Sequence, residues 1–408
     1  MKLCVITFKP CWQGSNGAWY SDGGFPIQMA GISSLFDQTA MVVVGVASRS
    51  GGIALPSQAR VIPLREPRGR DFSRKLLLLR DLGYYLPALI KEIRAADVVH
   101  VPLPGDLPLL GLVTALAMRK RLLARYCGAW DVSSTAMNRV SKGLMRWFAG
   151  GRNVMLATGI SQTQAAPNVH WNQTSVITRA EIASNLPDLD RPLSSPPRLA
   201  CVGRLSPEKG IDDLLAAMAL LAKAPGVTPA MVPRLTLIGD GPQRAALERQ
   251  ATGLGLNGLV TFAGQQNRAE LLALLNRHDV LVAPSLTEAL GKARLDAMAC
   301  GLPVITTPVG FGAEILGASG ERGWLVPLQD PARLAQAIGE AIAPGRDWPA
   351  LRRRCRSFAE RYTLEEWIEK IGAICASQWG VPLKQARPPH IASPSTEEQQ
   401  PKETSVSL

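Results

Sequence analysis

The chain has 408 residues, enough for two domains of ordinary size, with 46% hydrophobic and 19% charged residues. That apolar share excludes a wholly disordered chain, and 37 Gly and 31 Pro without a period exclude a collagen-like or low-complexity one. The formal net charge of +12 is placed rather than spread: residues 1–187 carry 21 Lys/Arg against 10 Asp/Glu, whereas the other 24 and 23 nearly cancel over 188–408. A placed excess points to a partner such as a membrane, a nucleic acid or an anionic substrate.

In chain order, β-branched and aliphatic runs predict strands over 3–8, 41–47, 60–64, 97–101, 122–126 and 153–157. Helical spacing of apolar residues covers 25–36, 72–95, 107–121 and 134–149. The first run ends at Lys9 and Pro10, without the length or small-residue site of a secretory leader. The longest apolar run, 107–118, falls short of the roughly 20 residues that a spanning helix needs and reads as a buried core helix. Asn, Pro, Asp and Ser then cluster over 184–197.

Beyond that joint the alternation is cleaner. Strands are predicted at 199–203, 235–239, 260–264, 280–285, 304–307 and 324–326, with helices at 209–222, 243–252, 268–276, 292–300 and 331–342. Strands apolar throughout, alternating with amphipathic helices, imply parallel sheets covered on both faces. The reading is an α/β chain of two doubly wound, Rossmann-like domains. The first covers 1–187, a linker 188–197, and the second 198–345. Helical residues 346–383 are expected to pack back on the N-terminal domain, and the Pro-, Ser- and Glu-rich stretch 384–408 to be a disordered tail. The seven cysteines are scattered and form no CxxC pair, which speaks against a disulfide framework or a zinc site.

Doubly wound sheets bind ligands at the carboxyl ends of their strands. Two segments there carry chemistry. In GRLSPEKG (203–210), Arg204 and Lys209 flank a strand-to-helix turn and could bind a diphosphate with help from the helix N-terminus. In PSLTEALGKARLDAMACGLPVI (284–305), Glu288 lies in a loop and Asp296 about two turns into the next helix. Carboxylates accept hydrogen bonds from hydroxyls, so sugar and ribose are plausible ligands; Asp296 could equally complement a helix N-terminus.

These segments, with LIGDGP (237–242) and VTFAG (260–264) between them, resemble the donor-binding domain of the GT-B glycosyltransferases of family 4. This large retaining family includes bacterial polysaccharide transferases and sucrose-phosphate synthases. The N-terminal half matches more weakly, through DVVH (97–100) and Ser21-Asp22-Gly23-Gly24. The resemblance implies two domains facing a central cleft and a retaining hexosyltransferase dependent on a nucleotide sugar, with no bound metal or other cofactor. Arg204 and Lys209 would hold the diphosphate and stabilise the leaving group, Glu288 would contact the transferred sugar, and Asp296 would stand where the family has a Glu on the ribose. Gly239 and Asp240 would line the nucleotide pocket. The amides of Ala289, Leu290 and Gly291 would bond sugar or phosphate, and Gly23 and Gly24 would approach the diphosphate. The histidine common after an N-domain strand is replaced by Cys127, with His100 as a substitute. Asp188-Leu189-Asp190 matches a metal motif of a different glycosyltransferase fold but falls in the linker.

The resemblance also makes the N-terminal domain the acceptor side. Its basic residues (Arg65, Arg68, Arg70, Arg74, Lys75; Arg119, Lys120, Arg121, Arg125; Arg139, Lys142, Arg146, Arg152) interleave with Leu144, Trp147 and Phe148. Basic helices with apolar faces lie on anionic bilayers. The expectation is a cytoplasmic enzyme, peripheral on the inner face of the plasma membrane, acting on a polysaccharide or lipid-linked acceptor. Nucleic-acid binding fits the charge but finds no recognisable module. A catalytically inactive scaffold subunit and a nucleotide-sugar epimerase are the alternative functions.

Overall fold

The computed structural model describes residues 1–49, 51–69, 71–130, 135–159, 165–224, 228, 231–288, 290–317 and 319–386, with only the backbone of 71–73, 75 and 76. It divides into two compact units, Met1–Asn172 with the segment from Leu364, and Gln173–Thr363.

The first unit runs β1 (Lys2–Gln13), β2 (Trp19–Ser21), α1 (Phe25–Ser34), β3 (Gln38–Gly45), β4 (Ile53–Ala54), β5 (Ala59–Leu64), α2 (Asp71–Arg80), α3 (Leu82–Ala95), β6 (Val98–Leu103), α4 (Asp106–Ala117), β7 (Arg121–Tyr126), α5 (Ala136–Phe148), β8 (Asn153–Thr158) and β9 (Val169–Asn172). Strands β5, β3, β1, β6, β7, β8 and β9 pair in parallel, with β2 added antiparallel to the far end of β1 and β4 antiparallel to β2. The expected strand at 3–8 runs on to Gln13 because its register shifts between Ile6 and Pro10, so the chain bends past the proline and keeps pairing with β3. The apolar run at 107–118 is α4, as a core helix: a Cβ on Gly111 would lie 2.7 Å from Ile6, so the glycine seats the helix on β1. No helix among the described residues is long and apolar enough to cross a membrane.

The second unit contains α6 (Arg179–Ser184), β10 (Arg198–Val202), a 3-10 turn (Pro207–Lys209), α7 (Ile211–Ala222), β11 (Arg234–Ile238), α8 (Arg244–Gly253), β12 (Val260–Gly264), α9 (Arg268–Leu275), β13 (Val280–Ala283), α10 (Lys292–Ala299), β14 (Val304–Thr306), α11 (Gly312–Leu316), β15 (Gly323–Leu325), α12 (Pro331–Ile342) and α13 (Trp348–Glu360). Its sheet is all parallel in the order β12-β11-β10-β13-β14-β15. The order reverses between β10 and β13, and the carboxyl ends of those two strands form the crevice of such a sheet.

The two helices expected to return together to the N-terminal domain part company. Helix α13 stays in the second unit: Asp279, fully buried, binds Arg352 of α13 at 3.0 Å, Arg191 at 2.7 Å and the Arg198 amide at 2.9 Å. Those bonds place the expected linker in the same unit. Only α14 (Leu364–Trp379) belongs to the first unit, where Trp367 Nε1 donates to Asn172 Oδ1 at 2.6 Å and Ile368 packs on Gly31 of α1. The expected tail lies, from residue 387 on, outside the described residues.

Candidate active site

After β10 the chain makes a short turn with Leu205 and Ser206 buried and Arg204 exposed. The 3-10 turn ends at Gly210, whose φ of +61° lets α7 start at once. A Cβ on Gly210 would lie 2.3 Å from the Pro284 carbonyl, so the loop after β13 runs directly against it. The Leu286 amide donates to the Glu208 carbonyl at 2.9 Å. On the other side, a Cβ on Gly239 would lie 2.0 Å from the Gly203 carbonyl, and one on Gly241 2.4 Å from that of Leu205. The Leu205 amide donates to Asp240 O, and the Gln243 amide to Leu205 O, each at 3.0 Å. Three loops that follow β10, β11 and β13 are thus joined through backbone contacts that only glycine permits.

This joining brings Lys209 and Glu288 together, 79 residues apart in sequence, as a direct ion pair. Both side chains are about four-fifths buried, and Ser285 Oγ lies 3.5 Å from the same carboxylate oxygen. Arg204 stands two residues beyond β10 on the same turn; its carbonyl accepts from Ser206 Oγ at 3.3 Å, and its guanidinium has no hydrogen bond or ion pair among the described residues. Asp240 is exposed and caps its own turn, accepting from the Gly241 amide at 2.7 Å, with Arg244 at 3.4 Å. Gly291, at φ +72°, is the N-cap of α10, so the positive end of that helix lies three residues from Glu288. Leu290 is buried; Ala289 lies outside the described residues.

Asp296 sits inside the unit, 5% exposed, with Arg268 Nη1 at 2.8 Å from its Oδ2. Arg268 Nε also donates to Glu181 at 2.8 Å. Burial pushes the Asp296 carboxyl up from its ordinary range while Arg268 pulls it down. The expected ribose carboxylate is therefore already engaged by a cation from α9. Neither Arg268 nor Glu181 carries a sequence signal linking it to position 296. Arg294, also unassigned by the sequence reading, is 1% exposed within the same motif.

The remaining candidates lie in the first unit. Gly23 has φ +69° and Gly24 is the N-cap of α1. Cys127 is exposed just after β7. His100 lies inside the sheet: it is fully buried, and its Nδ1 donates to the Leu123 carbonyl at 2.7 Å. Burial, helped by the charge of Arg125, lowers its pKa to about 3, so the ring is neutral. In the DLD segment, Asp188 accepts from the amides of Asp190 and Arg191, and Asp190 pairs with Arg353.

Residues 196–343 match the family model described as Glycosyl transferases group 1. A glycogen synthase of Mycobacterium tuberculosis is 36% identical over 179 residues, 43% of this chain and 41% of that protein. A D-inositol 3-phosphate glycosyltransferase of Mycolicibacterium smegmatis is 34% identical over 185 residues, 44% and 39% of the two chains. The chain thus spans about two-fifths of the length of the curated relatives it matches. Among solved structures, Anabaena Alr3699/HepE in complex with UDP and glucose aligns with a TM-score of 0.64 and 19% identity, over 92% of this chain and 99% of that one. The fold is that of the GT-B glycosyltransferase structures, an α/β chain of two parallel-sheet units.

Proposed function

We propose that this chain is a retaining glycosyltransferase that moves a hexose from a nucleotide-sugar donor to a polysaccharide or lipid-linked acceptor during surface polysaccharide synthesis. The observation that carries the reading is the Lys209–Glu288 pair at the reversal of the second sheet, with Arg204 exposed on the same turn. Lys209 and Arg204 supply two cations for a diphosphate, and fixed cations aimed at the charge developing on a leaving group are the largest catalytic contribution of such sites. Glu288 accepts hydrogen bonds from sugar hydroxyls. The N-cap of α10 adds the helix-end amide of Gly291, with the Leu290 amide in the loop just before it. The two cations neutralise the diphosphate, so the proposed reaction uses no resident metal. Supporting the reading, the family match at residues 196–343 falls within this unit, and the relatives bear the names of a glycogen synthase and an inositol phosphate glycosyltransferase.

The acceptor side belongs to the same proposal. Arg139, Val140, Gly143, Arg146 and Trp147 share the exposed face of α5, and Trp147 is 83% exposed. A basic face with a bare tryptophan suits the headgroup region of an anionic bilayer and supports the reading of an enzyme peripheral on the cytoplasmic face.

Release of nucleoside diphosphate from a panel of UDP-, GDP- and ADP-sugars tests the transfer. Turnover with one donor is the expected result; no release and no binding with any of them removes the reading. The engagement of Asp296 by Arg268 favours one second reading, a chain that binds the donor without transferring it. Donor binding with no sugar transfer is the outcome that would select it.

A further inference from the structure

Arg294 is the most deeply buried cation of the motif and the least satisfied. Its Nη1 donates to the Val309 carbonyl at 3.0 Å. Its Nε and Nη2 are buried without a hydrogen-bond partner among the described residues. Those two N–H groups form one edge of the guanidinium, the edge that pairs side-on with a carboxylate. An unsatisfied buried donor is costly, and two on one edge of a cation call for an acceptor.

The guanidinium lies directly beneath the loop that carries Glu288. A Cβ on Gly291 would sit 3.0 Å from Cζ, Nε and Nη1, and its φ of +72° also favours glycine, so the loop packs tightly over the guanidinium. Two carboxylates act on it through space, Glu288 and Glu314, both opposing the effect of burial, which lowers its pKa to about 10. Glu314 is exposed on α11, whereas Glu288 is largely buried. Glu288 is held by Lys209, the cation that the proposed reaction sends to the diphosphate.

We propose that Arg294 is a positioning residue for Glu288: when Lys209 turns to the donor diphosphate, the open Nε–Nη2 edge takes the Glu288 carboxylate and holds it toward the transferred sugar. This rests on the donor reading given above. A carboxylate has about four lone-pair positions. The side-on fork uses two and leaves two for sugar hydroxyls. The diphosphate would otherwise repel the carboxylate once Lys209 has left it. The order of events also couples donor capture to the assembly of the sugar site.

The test uses the full chain: wild type, Arg294→Met, Arg294→Lys, Glu288→Gln, Glu314→Gln and the Arg294→Met/Glu288→Gln double variant. Each is titrated with UDP, GDP and ADP and assayed with UDP-glucose, GDP-mannose and ADP-glucose. With the donor that works, Arg294→Met and Glu288→Gln are each expected to lose at least about tenfold in kcat/KM while nucleoside diphosphate affinity stays within about twofold. The double variant is expected to lose no more than the worse single variant. Arg294→Lys keeps the charge but not the fork and is expected to lose nearly as much as Arg294→Met, and Glu314→Gln to change nothing. Losses that multiply in the double variant, an equal loss of nucleoside diphosphate affinity, or full activity of Arg294→Lys would overturn the assignment while leaving the donor reading intact. If Arg294→Met does not fold, Arg294→Lys with Glu288→Gln supplies the same cycle. A wild type that binds none of the three diphosphates and uses none of the three donors removes the donor reading and the assignment with it.

Discussion

At the scale of single residues, Lys209 and His100 make opposite use of burial. Lys209 is partly exposed at a loop and ion-paired with Glu288, so an anionic ligand can reach its charge by displacing that carboxylate. Lys209→Ala is expected to lower kcat by about 10²–10³ with the fold retained, as loss of one preorganised charge donor does elsewhere; steady-state rates with circular dichroism check both halves. His100 is sealed in the sheet with its pKa lowered to about 3 from 6.5. The sign follows from proton counting. Between those two values the unfolded chain binds a proton that the folded chain refuses, so stability falls as pH drops from about 6.5 toward 3, by up to one proton's worth of slope. His100→Gln keeps a donor for the Leu123 carbonyl and removes the titration. Urea midpoints measured from pH 7 to 4.5 are expected to fall less steeply in that variant; parallel slopes would refute the role.

At the scale of elements, Arg268 ties three helices: it stands at the start of α9 and holds Glu181 of α6 and Asp296 of α10. Glu181 is also the carboxylate of the α6 capping box, accepting from the Thr178 amide at 2.7 Å. Removing the cation leaves two carboxylates without their countercharge in a buried place. Arg268→Met is expected to cost about 3–5 kcal/mol of stability, and adding Asp296→Asn to recover part of it. Urea denaturation of the single and double variants measures both; a double variant no more stable than Arg268→Met would show that the ion pair is not the cause. The capping residues of these helices are readable in sequence, as Asn267 and Glu270 show, because a cap is a local bond. The pairing of 268 with 296 and 181 is not, because it depends on which helices the sheet lays side by side.

At the scale of the molecule, the charge difference between the two halves meets a fold of two units; the exposed face of α5 carries Arg139 and Arg146, whereas Lys142 and Arg125, expected on the same basic surface, are buried, Lys142 donating to the Trp130 carbonyl. Flotation with vesicles carrying anionic lipid is expected to recover the protein at low salt, and Trp147→Ser with Arg146→Gln to reduce that recovery several-fold. Equal recovery with neutral and anionic vesicles would sink the membrane assignment. Salt dependence gives a second check, since screening weakens the attraction over about 10 Å at 0.1 M.

Sequence alone determined the alternation of strands and helices, and with it two parallel sheets, because a strand buried on both faces and an amphipathic helix each leave a local hydrophobic period. It also marked Arg204, Lys209 and Glu288, since glycine turns at strand ends are local signals. Tertiary structure decided three things. It divided the C-terminal helices between the units through the buried Asp279, took Asp296 into an ion pair with Arg268, and set Arg294 beneath Gly291 with one edge unsatisfied. Each is a contact between residues that the sheet order, not the sequence spacing, brings together. Whether a charge ends in water, in a pair or alone in the interior is settled only when that packing is complete.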